Sequence, residues 1–294
     1  EYGTHTNAAS ALVSTNSICQ GQQVAILWPL LFKTKHEIFF AHDSFKWANL
    51  ASHNAGVTVI IVGLSNHAGK VRKLYWQDSE GRDTLREIDN INAYLVPSLN
   101  TVVKKSSTPN PQQAIMTFGN KPVDGGNLLL NSDDVNALNL TAPQKERFIR
   151  RIYGSAEFIK GTERYCLWVE NECLAEALSI QSISERINKV NEMRLESRDK
   201  SANDMAKRSH QMREMNIGKT QTIVVPSVSS EKREYLPVGI INNRSTVTNL
   251  AFAMFNAPIW NMALIASRIH LIWIKTICGQ LETRIRYSNT LGWN

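Results

Sequence analysis

Two large aromatic side chains in a polar stretch have the type and spacing to act on a flat ligand. Phe45 and Trp47 lie two residues apart, between apolar residues 38–40 and the β-branched run 57–62. Aromatic rings stack on nucleobases, but the same rings could equally be ordinary core packing. The apolar runs on either side predict two strands, the second buried on both faces. We expect Phe45 and Trp47 to lie on an exposed loop between them.

Other side chains with catalytic potential form no complete constellation. His42 and Asp43 adjoin the aromatic stretch, yet one His–Asp pair without a nucleophile is weak evidence for acid–base catalysis. The four cysteines show neither C-x-x-C spacing nor a histidine at zinc spacing, which predicts reduced thiols and no metal site. Gly119 and the Gly125–Gly126 pair lack the spacing of a phosphate-binding loop. The motifs alone predict no complete active site.

The composition is that of a globular protein long enough for two domains. Of the 294 residues, 43% are hydrophobic and 20% are charged. The apolar runs are shorter than the roughly 18 residues that span a bilayer, so we expect no membrane association. Without a signal-peptide pattern, a cytoplasmic location is expected. The net charge of +7 suggests a polyanionic partner.

The elements that position the aromatic stretch alternate between strand and helix. Apolar spacing predicts a strand over 11–18, a helix over 22–32 and strands at 38–40 and 57–62, which is an α/β pattern. Residues 70–107 lose this pattern, and only 88–96 look ordered. Two prolines in Pro109–Pro111 mark a break. We place the domain boundary there, giving domains 1–110 and 111–294.

Short apolar pieces alternate with turn signals after residue 114, which indicates an α+β domain. We predict strands at 222–226 and 235–241 and a helix over about 259–278. A long helical stretch is predicted from about Leu174 to Met215, amphipathic at first and then rich in Lys and Arg. Its charged part is either a solvated face or a helix beside a phosphate backbone.

Several short segments resemble MmeI-like bacterial DNA methylases. Those in the first part resemble the end of that family's methyltransferase domain: Ser14–Ile18 (STNSI), Gln20–Val24 (QGQQV), Leu27–Pro29 (LWP), Phe40–Trp47 (FAHDSFKW) and Val59–Gly63 (VIIVG). Those in the second part resemble its target-recognition domain: Pro122–Leu128 (PVDGGNL), Arg164–Trp168 (RYCLW), Ser229–Arg233 (SSEKR), Tyr235–Pro237 (YLP) and Arg286–Ser288 (RYS).

The resemblance implies a fold and a reaction. Residues 1–110 would be the C-terminal part of a Rossmann-like class I methyltransferase sheet, and 111–294 an α+β target-recognition domain. Such enzymes transfer methyl from S-adenosylmethionine to adenine N6 in double-stranded DNA, within restriction–modification systems that often carry a fused nuclease. A non-catalytic DNA-binding specificity subunit is the alternative, and an RNA-modifying methylase is a weaker one.

In this family the cofactor motifs and an Asn-Pro-Pro-aromatic loop come before the segments matched here, and this sequence contains neither. We therefore expect a fragment without its own cofactor-binding residues, which alone neither binds S-adenosylmethionine nor methylates. The resemblance also places Phe45 best at the position that stacks on a flipped target base, with Trp47 as the alternative. A flipped base exposes its N6 to the active site.

The resemblance assigns sequence reading to the second domain. Glu282 and Arg284 occupy what looks like a specificity-determining pair, and on an extended segment both point to one side. A carboxylate accepts from cytosine N4 and a guanidinium bridges guanine O6 and N7, so the pair could read one C·G base pair. A surface ion pair is the open alternative.

Further DNA-binding candidates occupy a turn and the last helix. The turn offers hydroxyl and cationic groups suited to phosphate contacts: Ser229, Ser230, Lys232 and Arg233. A capped turn with a surface charge cluster is an equal alternative. On the last helix the candidates are Arg268 and His270, and packing in the core is the alternative for His270.

Overall fold

The computed structural model describes residues 5–47, 57–78, 80–281 and 284–294. The chain forms two compact units. The first comprises Glu1–Thr108, Ser229–Glu234 and Arg268–Asn294, and the second comprises Pro109–Val228 and Tyr235–Ser267. Two segments that the sequence assigned to the second domain, 229–234 and 268–294, thus pack within the first unit.

The first unit is built on a five-stranded mixed sheet. Its elements in chain order are β1 (Ser10–Thr15), a 3₁₀ turn (Asn16–Cys19), α1 (Gln22–Lys33), β2 (Glu37–Lys46), β3 (Thr58–Ser65), β4 (Arg72–Gln77) and β5 (Asp83–Ile88). The strand order is β1-β3-β2-β4-β5. Because β1 and β2 both pair antiparallel with β3, and β4 pairs parallel with β2, the strands β1, β2 and β4 run in one direction.

The predicted helix and the predicted buried strand are both confirmed. α1 buries Val24 and Trp28, which are one helical turn apart, and the Trp28 indole donates to the Ile18 carbonyl oxygen at 2.7 Å. β3 lies between β1 and β2, and most of its residues are buried. Gly63 on β3 pairs with Phe40 on β2, and a Cβ at this glycine would collide with the Phe40 ring.

The predicted exposed loop around Phe45 is wrong, because β2 continues through Lys46 and Phe45 pairs with Val59. A β-bulge absorbs the polar residues 42–44, which made this part of the sequence resemble a loop. The expectation that residues 70–107 are ordered only at 88–96 is also wrong. β4 and β5 form an antiparallel pair there, and β5 is an edge strand with a largely exposed, charged surface.

The second unit contains two four-stranded sheets and short helices. Its elements are β6 (Thr117–Phe118), β7 (Leu129–Leu130), α2 (Ser132–Ala137), α3 (Ala142–Phe148), β8 (Ile149–Tyr153), α4 (Ser155–Lys160), β9 (Tyr165–Leu167), a 3₁₀ turn (Asn171–Cys173), α5 (Leu174–Ser179), α6 (Gln181–Leu195), α7 (Lys200–Asp204), a 3₁₀ turn (Met205–Arg208), β10 (Gln221–Pro226), β11 (Val228–Ser229, whose Ser229 belongs to the first unit), β12 (Gly239–Asn242), β13 (Ser245–Val247), β14 (Ala251–Phe255) and α8 (Trp260–Ala266). The sheet orders are β12-β10-β14-β6 and β13-β8-β9-β7.

The larger buried cluster of the second unit joins α6 to the sheet that contains β8 and β9, and a smaller one includes Val224 and Val247. Ile183, Ile187 and Val190, at helical spacing on α6, join Phe148 and Trp168 in one buried cluster. The prediction of one long helix over 174–215 is wrong. Ile180 has an extended backbone between α5 and α6, and Asp199 caps α7 by accepting from the Ser201 amide.

Arg194 at the end of α6 is fully buried and lies at the centre of a main-chain network. All five N–H groups of its guanidinium donate to backbone carbonyls, those of Pro122, Val123, Met205, Arg208 and Gln211, at 2.8–3.0 Å. Burial and the neighbouring Arg208 lower the pKa of Arg194 to about 10, so it stays charged at neutral pH.

The chain then returns to the first unit with α9 (Arg268–Ile277), β15 (Gln280–Leu281), β16 (Arg284–Arg286) and a π-helical turn (Asn289–Trp293). The predicted helix over 259–278 is divided into α8 and α9, because Ser267 has an extended backbone. α9 buries Leu271, Ile274 and Ile277. Within the described part of the chain, no helix is long and apolar enough to cross a membrane.

Candidate target-base cleft in the first unit

The β-bulge in β2 brings His42 and Phe45 to the same face of the sheet. His42 pairs with Ile61 and Phe45 with Val59, so β2 advances three residues while β3 advances two. In a regular strand, residues three apart point to opposite faces, and one extra residue reverses this. Trp47, two residues after Phe45, continues the ladder by donating its amide to the Val57 carbonyl at 2.8 Å.

These side chains form a row of rings across β2 and β4. The rings of His42 and Phe45 meet edge to face with centroids 4.7 Å apart. His42 also lies parallel to the ring of its cross-strand neighbour Tyr75, at 6.4 Å and an interplanar angle of 8°. On the other side, the Phe45 and Trp47 centroids are 6.5 Å apart. The His42 ring therefore supports the Phe45 ring from one side.

Phe45 lines an open cleft of about 470 Å³ whose walls all belong to the first unit. Ser44 and Phe45 contribute one side, while Ile272 and Thr276 of α9 contribute the other. Cys19, which follows β1, also lines it. The cleft therefore lies outside the carboxyl ends of the parallel strands β1 and β2, which is where open α/β sheets bind ligands.

The charged groups along the cleft are of both signs. Asp43 and Glu231 bring carboxylates, and Lys46 and Lys275 bring ammonium groups. The Lys275 ammonium donates to the Glu231 carbonyl oxygen at 3.3 Å. Burial, together with Asp43, raises the pKa of the Cys19 thiol to about 12, so this thiol is protonated at neutral pH and is no nucleophile.

Of the two aromatic candidates, the structure places only Phe45 at the cleft. Trp47 is 41% exposed and is not one of the described residues that line the cleft. The resemblance gave Phe45 as the best match and Trp47 as the alternative, and the cleft favours the same order. The stacking role itself stays a prediction.

The four candidates for phosphate contact differ in accessibility. Ser229 is buried at 5% exposure, and its hydroxyl has no hydrogen-bond partner among the described residues. Ser230 accepts the Lys232 amide at its hydroxyl and the Arg233 amide, at 3.4 Å, at its carbonyl. The side chains of Lys232 and Arg233 are exposed. The turn thus presents Lys232 and Arg233 to solvent and Ser229 to the interior.

The candidates near the C-terminus also lie in the first unit. Arg268, at the start of α9, is exposed, whereas His270 is largely buried and contacts the Tyr287 hydroxyl at 2.9 Å. This contact is of the kind that the packed alternative for His270 predicts, and its DNA-binding role stays a prediction. Arg284 is exposed at the start of β16. Glu282 lies outside the described residues, so its pairing with Arg284 stays a prediction.

Sequence reasoning missed two contributions to this region. His42 was considered only for acid–base catalysis, and its contact with Phe45 depends on a bulge that no simple alternation predicts. Ile272 and Thr276 reach the cleft from a segment more than 200 residues away. Among the described residues, no group of three or more His, Cys, Asp or Glu side chains is arranged to hold a metal ion.

The turn before α1 offers S-adenosylmethionine no free glycine amide. The glycine between a strand and a helix in the first unit is Gly21, which precedes α1. Its amide donates to the Ile277 carbonyl at 3.0 Å and is not available to a ligand. Gly21 therefore joins the start of α1 to the end of α9.

Comparisons with known proteins first define the class of protein to which this chain is similar. In that class a DNA-methyltransferase domain is joined to a target recognition domain. Residues 1–76 match the family model described as "MmeI, DNA-methyltransferase domain", and 97–294 match "MmeI, target recognition domain". The chain therefore belongs to the MmeI family, which confirms the resemblance found in its sequence motifs.

Two relatives agree with this assignment. The chain is 39% identical over 295 residues to "DNA methyltransferase A" of Bacillus subtilis (strain 168), covering 100% of this chain and 33% of that protein. It also superimposes on a structure of the Type IIL restriction–modification enzyme MmeI in complex with DNA. That match has a TM-score of 0.88 and 33% identity over 98% of this chain and 39% of that one. The mixed α/β fold is thereby confirmed, and the chain spans about a third of the curated relative.

Proposed function

We propose that this chain is part of a bacterial, cytoplasmic, sequence-specific DNA methyltransferase that modifies adenine N6 in a restriction–modification system. In the complete protein it supplies the aromatic wall for the flipped target base and the target-recognition domain. Its partner is double-stranded DNA, and a fused nuclease is part of the same proposal. S-adenosylmethionine is the methyl donor, bound by residues outside this chain.

The observation that carries the proposal is the position of Phe45. Its ring lies in a cleft at the carboxyl ends of parallel strands, in a chain that belongs to a family of DNA methyltransferases. Flipping a base out of the duplex costs a few kcal/mol of unstacking and unpairing. Stacking on one aromatic ring returns roughly 1–3 kcal/mol, so Phe45 offsets much of that cost and keeps the base outside the helix.

DNA reading rests on the segment around Arg284. This arginine is exposed while the next residue, Ile285, is buried, so the strand presents Arg284 outward. A guanidinium at a groove edge recognises guanine O6 and N7. We assign Glu282 to the same base pair. Lys232 and Arg233 on the nearby turn are exposed and have the chemistry for phosphate contacts that orient the protein.

Methylation-aware sequencing of DNA from cells expressing the complete gene tests this function. The expected result is N6-methyladenine at one position of one recognition sequence. Cytosine modification, or modification of RNA alone, contradicts the proposal. A protein that binds duplex DNA specifically but transfers no methyl group would instead be a specificity subunit, which was the alternative from the sequence.

A further inference from the structure

The β-bulge in β2 decides which way Phe45 points. It inserts one extra residue between His42 and Phe45, and only with that residue do both rings share one face. Removing the bulge would turn Phe45 to the opposite face, away from the cleft. The orientation of the proposed stacking ring therefore depends on what stabilises the bulge.

Two hydrogen bonds from neighbouring side chains stabilise the bulge. The Nδ1 atom of His42 lies 2.8 Å from the carbonyl oxygen of Asp43. Because a carbonyl oxygen only accepts, Nδ1 carries the proton in this contact. The Asp43 carboxylate in turn accepts the Ser44 amide at 2.6 Å. Asp43 and Ser44 lie where the register with β3 shifts. The two contacts therefore give hydrogen-bond partners to backbone groups at the bulge.

The imidazole of His42 is fixed by its other neighbours in the sheet. It stacks on Tyr75 of β4, and its Nε2 lies 3.6 Å from an Asp83 carboxylate oxygen on β5. The His42 side chain is only 17% exposed, whereas that of Asp83 is 71% exposed. With its ring held by β4, His42 can hold the Asp43 carbonyl and meet the Phe45 ring edge to face.

We propose that His42 is a positioning residue: by donating Nδ1–H to the Asp43 carbonyl it maintains the bulge that aims Phe45 into the cleft. This inference rests on the proposed function, because it matters only if Phe45 stacks on the target base. His42 takes no part in methyl transfer. Its effect appears in how far the target base is flipped, and it changes DNA affinity by no larger factor than it changes flipping.

Two substitutions separate the hydrogen bond from the ring. His42→Phe keeps an aromatic ring beside Phe45 and removes the donor, whereas His42→Asn places an amide N–H near the position of Nδ1 and removes the ring. The complete protein is mixed with duplex DNA carrying 2-aminopurine at the methylated position, and fluorescence reports flipping. Thermal unfolding and DNA affinity are measured alongside, with Phe45→Ala as the reference.

The expected result is a flipping equilibrium reduced about three- to tenfold in His42→Phe, the fold-change of one hydrogen bond. The flipping equilibrium of His42→Asn should stay within about twofold of that of the unsubstituted protein, and in each variant DNA affinity should fall by no larger factor than flipping does. The inference is overturned if the His42→Phe variant flips the target base normally while the Phe45→Ala variant does not. It is also overturned if both His42 variants lose flipping equally, or if DNA affinity falls by a larger factor than the flipping equilibrium does. If the Phe45→Ala variant itself flips the target base normally, the proposed stacking role of Phe45 is wrong, whatever the His42 variants show.

Discussion

The Nε2 atom of His270 on α9 lies 2.9 Å from the hydroxyl oxygen of Tyr287, which follows β16. The Trp293 ring meets the same imidazole edge to face at 6.2 Å. Burial lowers the pKa of His270 to about 4. These contacts connect α9, which forms one wall of the cleft, to the segment that follows β16, the strand that carries Arg284. The histidine that makes them is neutral.

Stability should therefore fall on acidification because of His270. An unfolded histidine has a pKa near 6.5, so between pH 6.5 and about 4 the unfolded chain binds a proton that the folded chain does not. The stability that the neutral His270 contributes is fully present above pH 6.5 and is lost progressively as the pH falls to about 4. The loss is on the order of 2 kcal/mol, discounted for partial exposure. Urea unfolding at pH 7.5 and 4.5, followed by tryptophan fluorescence, measures it.

His270→Gln is the matched control, since glutamine can bond to the Tyr287 hydroxyl and does not titrate. Carboxylates titrate in the same range in both proteins, so the difference between the two pH dependences isolates His270. Equal pH dependences would show that His270 is not held neutral in the folded chain.

Arg194 should be among the most sensitive positions of the second unit. Its five donors serve five carbonyls in two chain segments, 122–123 and 205–211, and its side chain is fully buried. Arg194→Met removes the guanidinium donors from those carbonyls, of which the Arg208 carbonyl keeps the Gln211 amide as a donor. The change should lower the free energy of unfolding by about 3–5 kcal/mol. Arg194→Lys, with three donors in another geometry, should recover only part. Denaturant unfolding measures both.

Arg198 provides the comparison, because it is an exposed arginine four residues later. Arg198→Met should change the free energy of unfolding by no more than about 0.5 kcal/mol. Similar losses at the two positions would mean that Arg194 acts through net charge, and not through its main-chain hydrogen bonds.

Local periodicity predicted the parts of the fold that obey one period throughout. α1 followed from Val24 and Trp28 one turn apart, and β3 followed from its continuous apolar run, since both patterns are set by direct burial. The end of β2 was misread because the bulge breaks the period of two just where the polar residues 42–44 occur. A bulge is a local exception that alternation cannot encode.

The candidate site was predictable only in part, because its walls come from distant segments. The aromatic stretch and the family motifs indicated Phe45. Ile272 and Thr276 reach the cleft because 268–294 folds back into the first unit, and no local pattern carries that information. Arg194 shows the same limit: an arginine in a charged stretch suggests a solvated face, whereas converging carbonyls bury it.

Exchange of the Glu282 and Arg284 charges should change which base is read. Arg284 and Arg286 are exposed on β16, and Ile285 and Tyr287 are buried, as expected of an extended segment. Glu282→Lys together with Arg284→Asp should invert the preferred base at one position of the site, since each well-formed base contact discriminates by about 1–3 kcal/mol. Methylation-aware sequencing of the complete variant protein's DNA reports the new preference.

Arg286→Ala is the control variant. Arg286 is exposed on β16 like Arg284, but no base contact is proposed for it. It should weaken DNA binding across sequences and leave the recognition sequence unchanged, as phosphate contacts do. An unchanged preference in the double variant would mean that Glu282 and Arg284 do not read that base.

Phe45 and Trp47 should differ in their effect on the flipped base, because Phe45 is one of the described residues that line the cleft and Trp47 is not. Phe45→Ala in the complete protein should lower the 2-aminopurine flipping signal and turnover by the equivalent of about 1–3 kcal/mol, the value of one stacked ring. Trp47→Ala should have a smaller effect, and Phe45→Tyr should retain most of the activity because it keeps a stacking face. A larger loss in Trp47→Ala than in Phe45→Ala would transfer the stacking role to Trp47. Unchanged kinetics in both would remove it from this strand altogether.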